Sequence, residues 1–469
     1  MDVRRGGARR RVRRGRVNPT VAERLVAFAQ EHARDGVPGD VRHEAKRLLL
    51  NQLKASVGAT DHEVVRILND WGGATGGYGK AQALWLGTRL EPARAAMVNG
   101  ALFEVLDFHD TYIPCYMHAT SAVLPAALAA AQSGGNSGRE MVDALALGIE
   151  VELACARMLM PTGYYRGFVP AGLTGGVGAA AACSLLAGLD GERMRNALAI
   201  AMCTAFGTYE SVGSMTLSYI TGATAMSGLT AAELAGRGMD APATAFEGDK
   251  GMRESYSDEP AEKIGEILDS LGKPWCIHGQ SYKSVPTETI THAPIECALA
   301  LLPRTKGREV ARVRILVEPI VVDICDERME RFGDPHSELT ARFDLCFCVA
   351  AAWRRGRFTL DEMREAAYTD PDILALRSRV ELVRDETRES FDGCSMEVEF
   401  TDGTTESTSV DAFLGSPSRR MSDEELAAIF RAAADRVLPA GRADEILAAV
   451  WDLESAPGTD GMMALCRLT

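Results

Sequence analysis

Two polar segments interrupt apolar stretches of the chain. The first consists of residues 107–112 (DFHDTY) and residues 118–121 (HATS), lies between two apolar segments and could carry acid–base chemistry. Carboxylates and imidazoles are costly to bury, so such a cluster between buried helices indicates a functional site. A hydrogen-bonded loop at a helix end is the alternative. A metal site is not expected, since no ligand spacing such as H-x-x-x-H is present.

The second polar segment covers residues 282–292 (YKSVPTETITH). Its Lys283 and His292 bracket a proline turn just before an apolar helix. A lysine can neutralise a substrate carboxylate, and a histidine can move protons near neutral pH. A solvated lysine and a capping histidine would be the structural alternative.

A glycine-rich segment could be mistaken for a nucleotide site. Residues 176–181 (GVGAAA) come close to a dinucleotide fingerprint, but no strand precedes them, so the physical basis of that motif is missing. Close helix packing explains these glycines better. The sequence also contains no Walker motif, kinase signature or G-x-S-x-G elbow, and no cofactor is expected.

Composition and charge narrow the class of protein. The 469 residues are 46% hydrophobic and 25% charged, which is typical of a soluble globular protein with more than one domain. No apolar run approaches the roughly 20 residues that span a membrane. The net charge is −14 although residues 1–16 carry eight Arg and one Asp, so the folded body is strongly acidic and should repel nucleic acids. The eleven cysteines form no C-x-x-C pair, and with no secretion signal we expect a cytoplasmic protein.

Local patterns predict a mainly α-helical fold that has a smaller α+β insertion. Thr20-x-x-Glu23 and Ser422-x-x-Glu425 are capping-box patterns, each followed by apolar residues at helical spacing. Residues 310–322 are rich in β-branched side chains and predict strands, and residues 396–410 predict a hairpin. The predicted division is an Arg-rich disordered tail over 1–17, a large all-helical domain over 18–266, an α+β lid domain over 267–412, and helices over 413–469 that return to the helical domain.

Both polar segments resemble motifs of the MmgE/PrpD family, whose members include 2-methylcitrate dehydratase, cis-aconitate decarboxylase and iminodisuccinate epimerase. The family pattern N-G-A…LDFDDT, then His and V-x-P-A-A-L-A, is matched by residues 99–111, His118 and residues 123–129. The pattern K-x-x-P-x-x-x-x-x-H is matched by Lys283, Pro286 and His292. The order of these and further matches holds from about residue 18 to the C-terminus.

The resemblance implies a homodimer with a pocket between the helical domain and the lid, without metal or organic cofactor. The family's chemistry begins with removal of a proton beside a carboxylate, and positive groups must stabilise the developing charge. By position, His118 would carry the proton, and Asp107 would orient the His118 imidazole. Lys283 would be the electrostatic anchor, with Thr111 and His292 in support.

Departures from the family pattern concern the predicted pocket lining. Val169 stands where the family has histidine, and Leu217 stands where it has lysine. Glu288 occupies a position that can be histidine in the decarboxylases, and His109 replaces the second Asp of DFDDT. The remaining predicted lining residues adjoin the two motifs and are Tyr112 and Tyr282. A competing hypothesis assigns the acid role to a tyrosine near the altered segments, namely Tyr209, Tyr219 or Tyr282.

Two cations are thus lost and one acid is gained, which predicts a substrate that is less anionic than citrate-like acids. Each lost charge-assisted contact is worth roughly 1.5–3 kcal/mol. Isomerisation or epimerisation is slightly favoured over dehydration or decarboxylation, because it demands the fewest charged groups. A non-catalytic descendant that binds a metabolite or acts as a scaffold is the alternative.

Overall fold

The computed structural model describes residues 19–74, 79–305 and 307–468. The predicted disordered tail, residues 1–17, lies outside this part of the chain.

The described chain is mainly α-helical, as predicted. Its helices are α1 Val21–Asp35, α2 Gly39–Ser56, α3 Glu63–Ala74, α4 Pro92–Glu104, α5 Ala119–Gly134, α6 Gly138–Leu159, α7 Thr162–Tyr165, α8 Pro170–Leu186, α9 Gly191–Cys203, α10 Met215–Gly236, α11 Met252–Tyr256, α12 Ala261–Asp269, α13 His292–Thr305, α14 Pro319–Phe332, α15 Glu338–Ala341, α16 Leu345–Arg355, α17 Glu365–Tyr368, α18 Pro371–Arg377, α19 Asp423–Ala434, α20 Arg442–Trp451 and α21 Asp460–Leu465. Its strands are β1 Ala81–Gln82, β2 Arg89–Leu90, β3 Val310–Val317, β4 Val380–Arg384, β5 Cys394–Phe400 and β6 Thr405–Val410.

Helix starts follow the local patterns closely. The capping boxes at Thr20 and Ser422 both form, with each side-chain oxygen accepting from the backbone N–H three residues later.

The glycine-rich segment is helix α8, which packs closely on α6. A Cβ on Gly178 would lie 2.6 Å from the Glu152 Cβ and 2.8 Å from the Gly148 carbonyl oxygen, so only glycine allows this approach. The prediction of close helix packing is confirmed.

The larger sheet has the strand order β4-β3-β5-β6. The predicted hairpin is confirmed, since β5 and β6 pair antiparallel. Strand β4, which the sequence analysis missed, pairs parallel with β3. The predicted strand structure over 310–322 is confirmed for residues 310–317 and wrong for residues 319–322, because helix α14 begins at Pro319. Proline cannot donate to a strand ladder, and its backbone angle suits the first position of a helix.

Two hydrophobic cores organise these elements. The first holds α1 to α12 and the segment up to Tyr282, and the helices from Met421 to Cys466 join it. The second lies between Val285 and Phe413 and packs around the larger sheet. Residues 267–282 therefore pack with the first core, whereas the sequence analysis placed them in the α+β part. Within the described residues, no helix combines the length and apolarity needed to cross a membrane.

Candidate active site

A cavity lies where the two cores meet, and it joins both polar segments of the sequence. The turn after α4, the start of α5 and the segment after Tyr282 form its polar end, which carries Asp107, Thr111, His118 and Lys283. A backbone bridge holds the two segments together, since Thr111 and Ser281 exchange N–H to carbonyl hydrogen bonds of 3.1 and 2.8 Å. The Thr111 hydroxyl also lies 3.1 Å from the Thr289 hydroxyl.

A buried ion pair between Asp107 and Lys283 forms the centre of the polar end. The Lys283 ammonium donates to Asp107 Oδ1 at 2.5 Å and to the Asp107 carbonyl oxygen at 2.9 Å. Asp107 has a φ of 50°, a left-handed conformation that an Asp tolerates better than most residues. Desolvation opposes ionisation of this carboxyl, but the charge of Lys283 and its hydrogen bond contribute to outweighing it, and the pKa of Asp107 is lowered.

His118 directly precedes helix α5, and its hydrogen bonds determine which ring nitrogen is free. Its Nδ1 lies 2.8 Å from the Asp110 carbonyl oxygen and 3.3 Å from the Thr111 hydroxyl. Because a carbonyl only accepts, Nδ1 carries the proton and Nε2 keeps its lone pair. Desolvation, and then the charge of Lys283, lower the pKa of His118 to about 4. At neutral pH this imidazole is therefore uncharged and can act as a base.

Glu104, which the sequence analysis missed, also lines the cavity. Its side chain is buried, and desolvation followed by the nearby Asp107 charge raises its pKa to about 8. The only sequence signal was its position three residues before Asp107 at the end of a predicted buried helix. His109 does not line the cavity but lies fully buried behind it. Its Nε2 is 3.7 Å from both Glu104 Oε2 and Asp107 Oδ1.

Three cations contribute to the described cavity wall, and each is paired with a carboxylate. Lys283 pairs with Asp107, as described above. Arg328 on α14 forms a bidentate ion pair with Glu288, one of whose two contacts measures 2.6 Å. Arg342, which is buried, lies 3.2 Å from Glu338 and donates to the Val105 carbonyl oxygen. The sequence analysis did not place the two arginines in the site, because the Glu288 partner of Arg328 is 40 residues away and the Val105 carbonyl that Arg342 reaches is 237 residues away.

The rest of the wall is largely apolar and aromatic. Val169 precedes α8, and Leu217 lies in the first turn of α10, and both line the cavity as predicted. The Tyr164 hydroxyl donates to the Tyr209 hydroxyl at 3.2 Å, which in turn lies 3.4 Å from Arg328 Nη2. The further apolar contributors include Val212, Ile290, Ile324, Phe343 and Phe391.

Several residues predicted for the site lie elsewhere. His292 is fully buried against Phe413, with ring centroids 5.2 Å apart, and desolvation and Lys283 lower its pKa to about 3. Tyr112 lines a separate surface cleft, where it faces Gly279. The Tyr282 hydroxyl donates to Glu44 at 2.6 Å, away from the cavity, and Tyr219 is exposed on α10. Of the tyrosines considered as acids, Tyr209 alone lines the described cavity.

One group of side chains has the donor types of a metal site. Donor atoms of Glu104, His109 and His118 lie within 4.8 Å of one another. Desolvation, and after it nearby positive charge that includes the Lys283 ammonium, lower the pKa of both histidines, and the same charge disfavours a divalent cation there. The electrostatics of this cluster therefore disfavour a metal ion.

A polar cluster at one end of an apolar cavity, enclosed between two cores, is the arrangement of a small-molecule site. The MmgE/PrpD N-terminal domain model matches residues 23–264, and the MmgE/PrpD C-terminal domain model matches residues 285–454. The chain therefore belongs to the MmgE/PrpD family, and the resemblance seen in the sequence is confirmed.

Individual relatives cover most of the chain. It is 28% identical to cis-aconitate decarboxylase of Homo sapiens over 436 residues, which is 88% of each protein. It is 28% identical to the Mus musculus protein of that name over 377 residues, covering 78% of this chain and 76% of the relative. Identity to cis-aconitate decarboxylase of Aspergillus terreus is 25% over 464 residues, or 91% of each.

Proposed function

We propose that this protein is a lyase that acts without a metal or organic cofactor on a small carboxylate substrate. The observation that carries the proposal is the meeting of Asp107, Thr111, His118 and Lys283 at the polar end of one cavity. The relatives named as decarboxylases, which are lyases, support C–C bond cleavage. They give no support to the preference for isomerisation that the sequence alone suggested.

The roles follow from charge and hydrogen bonding. His118 is uncharged at neutral pH, and its Nε2 lone pair can accept a proton from a carbon beside the substrate carboxylate. The negative charge that develops on the substrate is stabilised by Lys283 and by the Thr111 hydroxyl. Asp107 holds the Lys283 ammonium in place, so its role is to position the cation rather than to exchange protons.

The cavity wall favours a substrate with fewer negative charges than citrate. A tricarboxylate needs several cations, each charge-assisted contact being worth roughly 1.5–3 kcal/mol. Here Lys283, Arg328 and Arg342 are each already paired with a carboxylate. Val169 and Leu217 offer only apolar surface. A mono- or dicarboxylate with an apolar substituent matches this wall better.

Proton NMR in D₂O tests the proposal directly. The purified protein is incubated with 2-methylcitrate, cis-aconitate, iminodisuccinate and phenylsuccinate, and the C–H signals and products are followed. We expect exchange or loss of a C–H signal with the dicarboxylate phenylsuccinate, and slow turnover of the two tricarboxylates and of iminodisuccinate, which carries four carboxylates. The His118→Ala variant should lose this activity while staying folded. Rapid turnover of cis-aconitate or 2-methylcitrate would contradict the substrate class. Silence of a folded protein across the panel would favour a non-catalytic, metabolite-binding role.

We also propose that the protein is a homodimer. Helix α10 is apolar nearly all round, yet it leaves Met215, Tyr219 and Leu234 exposed in the single chain. Exposed apolar residues along one helix are typical of a surface that another protein covers. Light scattering coupled to gel filtration should give twice the chain mass, and Tyr219→Glu should shift the protein towards monomer.

A further inference from the structure

The cavity holds a second titratable group that neither the family motifs nor the sequence analysis assigned. Glu104 ends helix α4 and lines the same cavity as His118, with its side chain 7% exposed. Within the described chain, no hydrogen bond reaches its Oε2. Both Glu104 and His118 line the cavity, and a carboxyl oxygen of Glu104 lies within 4.8 Å of a ring nitrogen of His118, so the two groups border the same end of the cavity.

His109 connects this carboxyl group to His118. Its Nε2 lies 3.7 Å from Glu104 Oε2, and its ring packs edge to face on the His118 ring, with the centroids 4.2 Å apart. The three side chains thus form a continuous row from one cavity-lining group to the other. No other imidazole among the described residues contacts both His118 and a cavity carboxyl.

We propose that Glu104 is the general acid of this site, acting as the partner of the base His118. The inference rests on the proposed lyase function and adds the group that supplies the second proton. Both groups are in the complementary state at neutral pH: the Glu104 pKa of about 8 keeps the carboxyl protonated, and the His118 pKa of about 4 keeps the imidazole uncharged. Two titratable groups with pKa values pushed apart in this way are the usual signature of an acid–base pair.

The proton balance closes with these two side chains and solvent water. In an elimination, His118 Nε2 takes the proton from carbon, the electron pair forms the C=C bond, and the breaking C–O bond releases oxygen as water with the Glu104 proton. The imidazolium of His118 then releases its proton to solvent water, and solvent water returns a proton to the Glu104 carboxylate. In a decarboxylation, the electron pair left by departing CO₂ takes the Glu104 proton, and solvent water restores it.

The Glu104→Gln variant separates the two roles. Glutamine keeps the size and a hydrogen-bond donor but cannot release a proton, so product formation should fall by about 10²- to 10⁴-fold. Exchange of the substrate C–H with D₂O should continue, since His118 is intact. The decline of kcat/KM above about pH 8 in the unaltered protein should disappear in the variant. Full product formation by Glu104→Gln would overturn the proposal.

Glu152→Gln is the matched control, because Glu152 is also a fully buried carboxyl but lies inside the bundle on α6, away from the cavity. This variant should keep full product formation and the same pH profile. If it loses activity as Glu104→Gln does, loss of a buried carboxyl in general explains the effect and the proposal falls.

An infrared measurement tests the proposal without substrate. The protonated carboxyl band of Glu104 should be present at pH 7, disappear on titration through about pH 8, and be missing in Glu104→Gln. Its absence from the unaltered protein at pH 7 would overturn the acid role even if the lyase function holds. Conversely, an unaltered protein that shows this band but neither exchanges nor converts any acid of the panel refutes the lyase function itself.

Discussion

Breaking the Asp107–Lys283 pair should strongly destabilise the protein as well as inactivate it. Lys283 is fully buried, and its ammonium contacts Asp107 Oδ1 at 2.5 Å. Lys283→Met leaves a buried carboxylate without its counter-ion, and Asp107→Asn leaves a buried ammonium. Each single change should lower the free energy of unfolding by about 3–5 kcal/mol. Asparagine is the appropriate replacement at 107, since it tolerates the left-handed φ of this position.

The double variant, which carries both changes, isolates the interaction. With both charges gone, neither is left unpaired, so its loss should fall short of the summed single losses by at least about 2 kcal/mol. Urea unfolding followed by circular dichroism measures all four proteins. The exposed pair Arg312–Glu381 on β3 and β4 is the control and should show far weaker coupling. If the losses of the two single variants sum to the loss of the double variant within about 0.5 kcal/mol, the ion-pair reasoning is refuted.

Three further changes test acid stability, substrate charge and metal independence. Because His292 has a pKa of about 3 in the folded protein against roughly 6.5 when unfolded, only the unfolded state gains a proton at this position as pH falls below 6.5, and this group alone should lower the unfolding free energy by roughly 3 kcal/mol by pH 4.5. The lowered pKa values of His118 and His109 act in the same direction, so His292→Gln should reduce the acid dependence by about that amount, whereas the exposed His336→Gln should leave it unchanged. Val169→His or Leu217→Lys should raise kcat/KM for cis-aconitate by about 10- to 100-fold, and unchanged values would contradict the charge argument. Dialysis against EDTA should leave activity intact, and loss restored by zinc would place a metal at Glu104 after all.

Much of the fold could be predicted because the responsible signals are local. A capping box at Thr20 or Ser422 depends on residues three positions apart, and the 396–410 hairpin depends on its own turn. The exception over 319–322 is also instructive. There β-branched side chains favoured a strand, but a proline suited to the first position of a helix begins α14 instead.

The same difference between local and long-range signals applies to the candidate site. Asp107, Thr111, His118 and Lys283 belong to continuous motifs, so the residue types and order alone were enough to single them out. Whether a neighbouring side chain faces the cavity depends on how distant elements dock. His292, Tyr112 and Tyr282 were therefore expected in the pocket, although the structure directs them elsewhere.

The charge state of the cavity was beyond reach of the sequence for a related reason. Glu288 counted as a free acid in the sequence, but folding brings Arg328 against it across 40 residues. Glu104 looked like one more helix residue until its burial beside Asp107 made it a protonated carboxyl. Motif identity is a property of neighbours along the chain, whereas pairing and desolvation arise only when separate elements enclose the same space.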